Sequence, residues 1–130
     1  MVFEKDKLRG HLDRYLAFVR REIDVYKALL YGSYAYGIPH DDSDIDLVIL
    51  SNDFAKMSKL ERHQWLGWIA WQAGTDYIQP LGFTPEEFES ASSLSLLGEV
   101  REKGIVVYKA NGECEQDWVC DVECNQPSIG

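Results

Sequence analysis

Cysteine is scarce and unevenly placed: the 130 residues hold three, Cys114, Cys120 and Cys124, all within the last seventeen. An odd number, behind an N-terminus that lacks the basic-then-apolar order of a signal peptide, disfavours a disulfide framework and predicts a reducing, cytoplasmic setting. The cysteine spacing matches no common zinc pattern, so reduced, partly exposed thiols are expected. Long apolar runs are missing as well. No stretch approaches the eighteen or more residues of a membrane span, which predicts a soluble chain with no membrane partner. Basic excess is also absent, since 13 Lys and Arg face 22 Asp and Glu for a net charge of −9. A chain so charged has no counterion-release drive toward long nucleic acid. A small substrate or a protein partner fits better.

What is present suits one folded domain. Hydrophobic residues make up 45% of the chain, with four Trp, seven Tyr and five Phe, so disorder of the whole is not expected. Residues 111–130 differ: they hold Glu113, Glu115, Asp117, Asp121 and Glu123 and no Lys or Arg, leaving only about −4 for the rest. The expected organisation is a domain over 1–110 and an acidic, cysteine-containing appendage over 111–130.

Along residues 5–24 the apolar positions Leu8, Leu12, Tyr15, Leu16, Val19 and Ile23 recur at steps of three and four, predicting an amphipathic helix. Residues 25–31 form a compact apolar run that stops at Gly32 and Ser33, which predicts a buried strand ending in a tight turn. A polar loop with Pro39 follows, and the β-prone segment 44–50 predicts a second strand. Ser58 with Glu61 makes a capping box for a helix to about Ala73, with Gly74 as its stop. Helical spacing alone explains Trp65, Trp68 and Trp71 as core and interface packing rather than a base-stacking platform. Residues 76–83 predict a third strand, or an edge strand ended by Pro80. Thr84 and Pro85 open a short helix, residues 94–103 predict another that ends at Gly104, and 105–108 predict a last strand. The sum is an α/β (α+β) domain with a small mixed sheet flanked by helices.

Chemistry concentrates between Gly32 and Asp46. Residues two apart on a strand share a face, so Asp44 and Asp46 aim together while Ile45, Leu47 and Ile49 point into a core. Two carboxylates on one face repel unless a cation separates them, and magnesium, which takes oxygen ligands and completes its shell with water and phosphate, suits the place. Gly32 and Ser33 offer close backbone approach, a hydroxyl and N–H groups to a phosphate. Ten residues lie between Ser33 and Asp44. That distance lets the cradle and the carboxylates meet at one end of neighbouring strands.

This pattern, Gly32-Ser33, ten residues, then Asp44-Ile45-Asp46 in the context Ser43 to Leu47, resembles the signature of DNA polymerase β-like nucleotidyltransferases. It is most similar to their small standalone members, the minimal nucleotidyltransferases. The helix start Thr84-Pro85-Glu86-Glu87-Phe88 and the terminal strand from Gly104 to Tyr108 extend the resemblance over roughly residues 8–109. It implies the polymerase β-type fold, ATP or another nucleoside triphosphate as substrate, and two magnesium ions about 3.5–4 Å apart that support attack on the α-phosphate and departure of pyrophosphate. Asp44 and Asp46 would be metal ligands, and Gly32, Ser33 and Ser43 would contact the nucleotide. Asp76 matches a third carboxylate, which would hold the second metal and assist deprotonation of the acceptor. Tyr36 departs from the basic residue that many minimal members carry at its position, which leaves phosphate neutralisation to Lys27, Lys56 or a partner.

Asp41 and Asp42 are expected as turn residues, and His40 and His63 as surface residues with no ligand role. The resemblance further implies an antitoxin that transfers AMP from ATP to a hydroxyl of a helical HEPN-domain toxin. Two other functions stay open: a weak or inactive module that neutralises its partner by occlusion, and a small-molecule, aminoglycoside-like adenylyltransferase whose acceptor cleft is built by a homo-oligomer.

Overall fold

The computed structural model describes residues 5–36 and 44–110; the side chains of Lys5, Asp6, Ser33 and Tyr36 are outside the described set. Its element order is α1 (Lys5–Arg20), β1 (Lys27–Tyr31), α2 (Ser33–Tyr36), β2 (Ile45–Leu50), a 3₁₀ turn (Asn52–Lys56), α3 (Lys59–Gln72), β3 (Ile78–Phe83), α4 (Pro85–Ser90), α5 (Leu96–Lys103) and β4 (Ile105–Lys109). The four strands form one mixed sheet in the order β3-β2-β1-β4. β1 runs antiparallel to β2 and to β4, while β2 and β3 are parallel. The expected α+β architecture is therefore the observed one. The appendage over 111–130, with its acids and cysteines, lies outside the described residues, as does the loop that carries Pro39, His40, Asp41, Asp42 and Ser43.

Alternation along the strands divides the molecule into two cores. One face of the sheet buries Leu30, Ile45, Leu47, Ile49 and Ile78 against Leu8, Leu12, Tyr15, Leu16 and Val19 of α1 and Leu66, Ile69 and Ala70 of α3. The other packs Leu29, Val48 and Leu50 against Phe88 of α4 and Val100 of α5 in a much smaller cluster. Tyr15, at the bottom of the larger core, donates its hydroxyl to the Leu66 carbonyl at 2.9 Å, so the ring is buried without an orphan polar group. Burial pushes its ionisation far upward.

Several boundaries differ from those expected. α1 stops at Arg20 rather than near 24, because the Arg21 and Glu22 amides bond back to Phe18 and Val19 in a tightened last turn. The 3₁₀ turn was not expected; Ser51 caps it, accepting from the Asp53 amide at 3.1 Å and donating to the Asp24 carbonyl at 2.7 Å. β3 is an edge strand and runs through Pro80 to Phe83, since a proline without N–H is tolerated where no further strand pairs. Both capping boxes are present, Ser58 with Glu61 and Thr84 with Glu87.

The two helical layers are tied around that edge. Arg62 of α3, buried at 5% exposure, makes a two-pronged pair with Glu87 of α4 at 2.7 and 3.3 Å, and also donates to the Gly82 carbonyl of β3 at 3.3 Å. A Cβ at Gly82 would press on Leu66 and Phe54 at 2.9 Å, so only glycine lets α3 and the 3₁₀ turn approach this strand. Of the tryptophans, Trp65 packs against the large core as expected. Trp68 and Trp71 do not: they stand 53% and 65% exposed and stack on each other with centroids 5.3 Å apart.

Candidate active site

β1 ends at Tyr31, directly across from Asp46. Gly32 follows with φ of 78°, a left-handed conformation that glycine adopts without strain, and turns the chain into α2. A Cβ added at Gly32 would overlap the Asp46 carboxylate. The glycine is needed twice, for the turn and for the close approach of the carboxylate to the backbone.

Asp46 is half-buried within β2, and Asp44 stands exposed just before the strand. Their neighbours Ile45, Leu47 and Ile49 are fully buried on the opposite face, which holds the strand in register and fixes the side on which Asp46 emerges. Burial first, and the negative charge of Asp44 second, raise the Asp46 carboxyl above its ordinary range. A cation between the two acids would relieve both effects, and this pair of oxygen donors fits a hard divalent ion such as magnesium. Among the described residues no group of three or more His, Cys, Asp or Glu is placed to hold a metal ion.

Asp76 lies in a turn before β3, not on the strand. The Ile78 amide bonds to the Thr75 carbonyl at 2.9 Å, and the Thr75 amide to Ala70 at 2.8 Å, so Asp76 and Tyr77 occupy the corners of a locked turn. Tyr77 is anchored by its hydroxyl to His11 Nδ1 of α1. Its phenol is raised by burial and by the Asp76 charge, with Arg14 opposing. The side chain that stands directly across from Asp46 in the parallel register is Gln79. Gln79 is exposed, on the sheet face shared with Leu81 and Phe83 of the smaller core. Sequence alone does not single out Gln79; its period-two spacing from Leu81 and Phe83 was the available signal.

Lys27 pairs with Leu50, four residues along β2 from Asp46, which is roughly 13 Å at strand rise. Lys56 follows that same far end. Neither stands at the carboxylates. Ser33 opens α2, but its side chain, that of Tyr36, and Ser43 are outside the described residues. His63 is exposed on α3, as expected of a surface residue.

The left-handed turn at Gly32 thus lies against Asp46, with Asp44 just before the same strand. The family model of the nucleotidyltransferase domain matches residues 12–107, so the chain belongs to the nucleotidyltransferase domain family. No curated protein matches it. Among solved structures, a toxin-antitoxin crystallised with AMP-PNP is similar with a TM-score of 0.56 and 21% identity, over 90% of this chain and 83% of that one. A Sulfolobus solfataricus protein taken to be a nucleotidyltransferase gives a TM-score of 0.62 and 12% identity, over 86% and 89%. The toxin-antitoxin MntA-HepT gives 0.53 and 18%, over 92% and 88%. At such identities these structures speak for the fold.

Proposed function

We propose that this nucleotidyltransferase is an antitoxin that transfers a nucleoside monophosphate, AMP from ATP, to a hydroxyl of a partner toxin of the HEPN type. The observation that supports the chemistry is the close approach of Gly32 to the Asp46 carboxylate, with Asp44 two residues before it. Support for the biological setting comes from the toxin-antitoxin assemblies among the similar structures, one of them crystallised with AMP-PNP.

In this reading Asp44 and Asp46 hold magnesium, which when bound would neutralise phosphate charge and orient the triphosphate. Gly32 lets the backbone close on the phosphates, and Ser33 and Ser43 donate to them. Cytoplasmic location is part of the proposal; among the described residues no helix is long and apolar enough to cross a membrane.

The test is purification of the chain with the helical protein encoded beside it, incubation with ATP and magnesium, and intact mass measurement. An AMP-sized gain on the partner, absent with Asp44→Asn and Asp46→Asn, is expected. No gain with any of the four triphosphates would sink the catalytic proposal.

One observation favours a second reading. The stacked, exposed Trp68 and Trp71, with Leu60 65% exposed on the same helix, offer a surface by which a partner could be occluded without chemistry. Full neutralisation by the Asp44 and Asp46 double variant would select it.

A further inference from the structure

Resting on the nucleotidyl-transfer reading, we propose that the centre takes a single divalent cation per chain with its nucleotide, and that Gln79 is the substrate-facing residue at the place where a third carboxylate would complete a two-metal site.

The register carries this. β2 and β3 are parallel, with Asp46 across from Gln79 and Ile45 across from Ile78. Paired residues on neighbouring parallel strands point to the same face about 4.8 Å apart. Ile45 and Ile78 are both buried in the large core, so Asp46 and Gln79 both emerge on the other side. Gln79 is therefore the β3 side chain beside the carboxylate pair, and it is exposed.

The donor set decides the stoichiometry. Asp44 and Asp46 supply two carboxylates, enough with phosphate oxygens and water for one hard ion, and the β3 position beside them is an amide. An amide at position 79 adds a neutral oxygen that ligates weakly and cannot take a proton. It can hydrogen-bond a phosphate, ribose or acceptor oxygen, and so orient what binds there. The site then has no built-in proton acceptor on β3, and an acceptor hydroxyl would lose its proton to a group outside this strand.

Asp76, the third carboxylate the resemblance implies, does not fill the gap in this proposal. It sits three residues before Gln79 at the corner of the turn closed by the Thr75 to Ile78 hydrogen bond. Entry into the β3 register would break that bond and the anchoring of Tyr77 on His11.

Manganese, which is paramagnetic and follows magnesium's oxygen preference, counts the sites. Titration of the full chain with Mn²⁺ in the presence of AMP-PNP, read by electron paramagnetic resonance, is expected to show one bound ion per chain in all, the nucleotide's own ion included. Gln79→Glu and Gln79→Asp are expected to gain a second ion, and Asp76→Asn to leave the count at one, with circular dichroism confirming that each variant is folded. Two ions in the wild-type chain, or a loss on Asp76→Asn, overturns the proposal while leaving the nucleotidyl-transfer site standing. No ion and no AMP-PNP bound, with Asp44→Asn and Asp46→Asn behaving as wild type, overturns both.

Discussion

The two faces of the sheet are built for different work. On the α1 and α3 side the strands meet two long helices and bury a continuous core with Leu12, Tyr15, Ile45, Leu47, Phe54 and Leu66 at zero exposure. On the α4 and α5 side two short helices bury a smaller cluster around Phe88 and Val100. What they leave open is informative. At one end stand Asp46 and Gln79; at the other, a shallow groove of about 420 Å³ runs past Phe83, Ala91, Leu96 and Leu97. In the proposed reading this face admits the nucleotide, while the larger buried core lies on the opposite side.

The sharpest way to break this contrast is to truncate one phenylalanine in each core. Phe54→Ala is expected to cost about 3–5 kcal/mol, the usual range for a buried aromatic. Phe88→Ala should fall at the low end of that range, because the neighbouring groove lets the small core relax. Equal losses in denaturant melts would show that the two faces bear load alike.

Next in size is the site itself. Asp46→Asn should lower nucleotidyl transfer by about 10²–10³-fold, the typical loss when an electrostatic element of a transfer site is removed. Because it also removes a partly buried charge beside Asp44, the same variant should leave thermal stability without cation unchanged or slightly higher. A marked drop in melting temperature would mean that Asp46 is structural.

Gly32→Ala joins the two kinds of effect. It forces a side chain into positive φ and onto the Asp46 carboxylate, so a stability loss of about 1–2 kcal/mol is expected together with weaker nucleotide binding. Binding intact in the folded variant would separate the turn from the site.

The smallest expected effect concerns the tie between the faces. The Arg62 guanidinium hydrogen bond, more than any other cause, holds the Glu87 carboxyl below its ordinary 4.5. Its folded value is the lower one, so its stabilisation is complete above the ordinary value and fades as pH falls through the depressed one. Glu87→Gln should flatten the acid limb of the stability profile in that window. An unaltered limb would mean that the pair contributes nothing to acid stability.

Much of the fold was legible because local patterns and tertiary needs agree. The three-and-four spacing of Leu8, Leu12, Tyr15, Leu16 and Val19, the alternation of Ile45, Leu47 and Ile49, and the boxes at Ser58 and Thr84 are short-range signals that the structure uses as written. Trp68 and Trp71 were harder. α3 is nearly as apolar on its outer side as on its inner one, so spacing could not say which tryptophans face solvent. The start of β3 was harder still, since only the Thr75 to Ile78 hydrogen bond, formed where α3 delivers the chain to the sheet, excludes Asp76 from the strand.

By itself the sequence determined most of the helices and all four strands, the burial side of β2, and the placing of Gly32, Asp44 and Asp46 at one end of neighbouring strands. These depend on periods of two and of three to four residues and on a ten-residue spacing, all readable along the chain. Only the tertiary structure decided that Gln79 stands beside Asp46, that Lys27 and Lys56 lie at the far end of the sheet, and that Arg62 ties the two helical layers. The physical reason is register: which residues of two distant strands come side by side is settled by how the helices between them pack, not by either strand's own pattern.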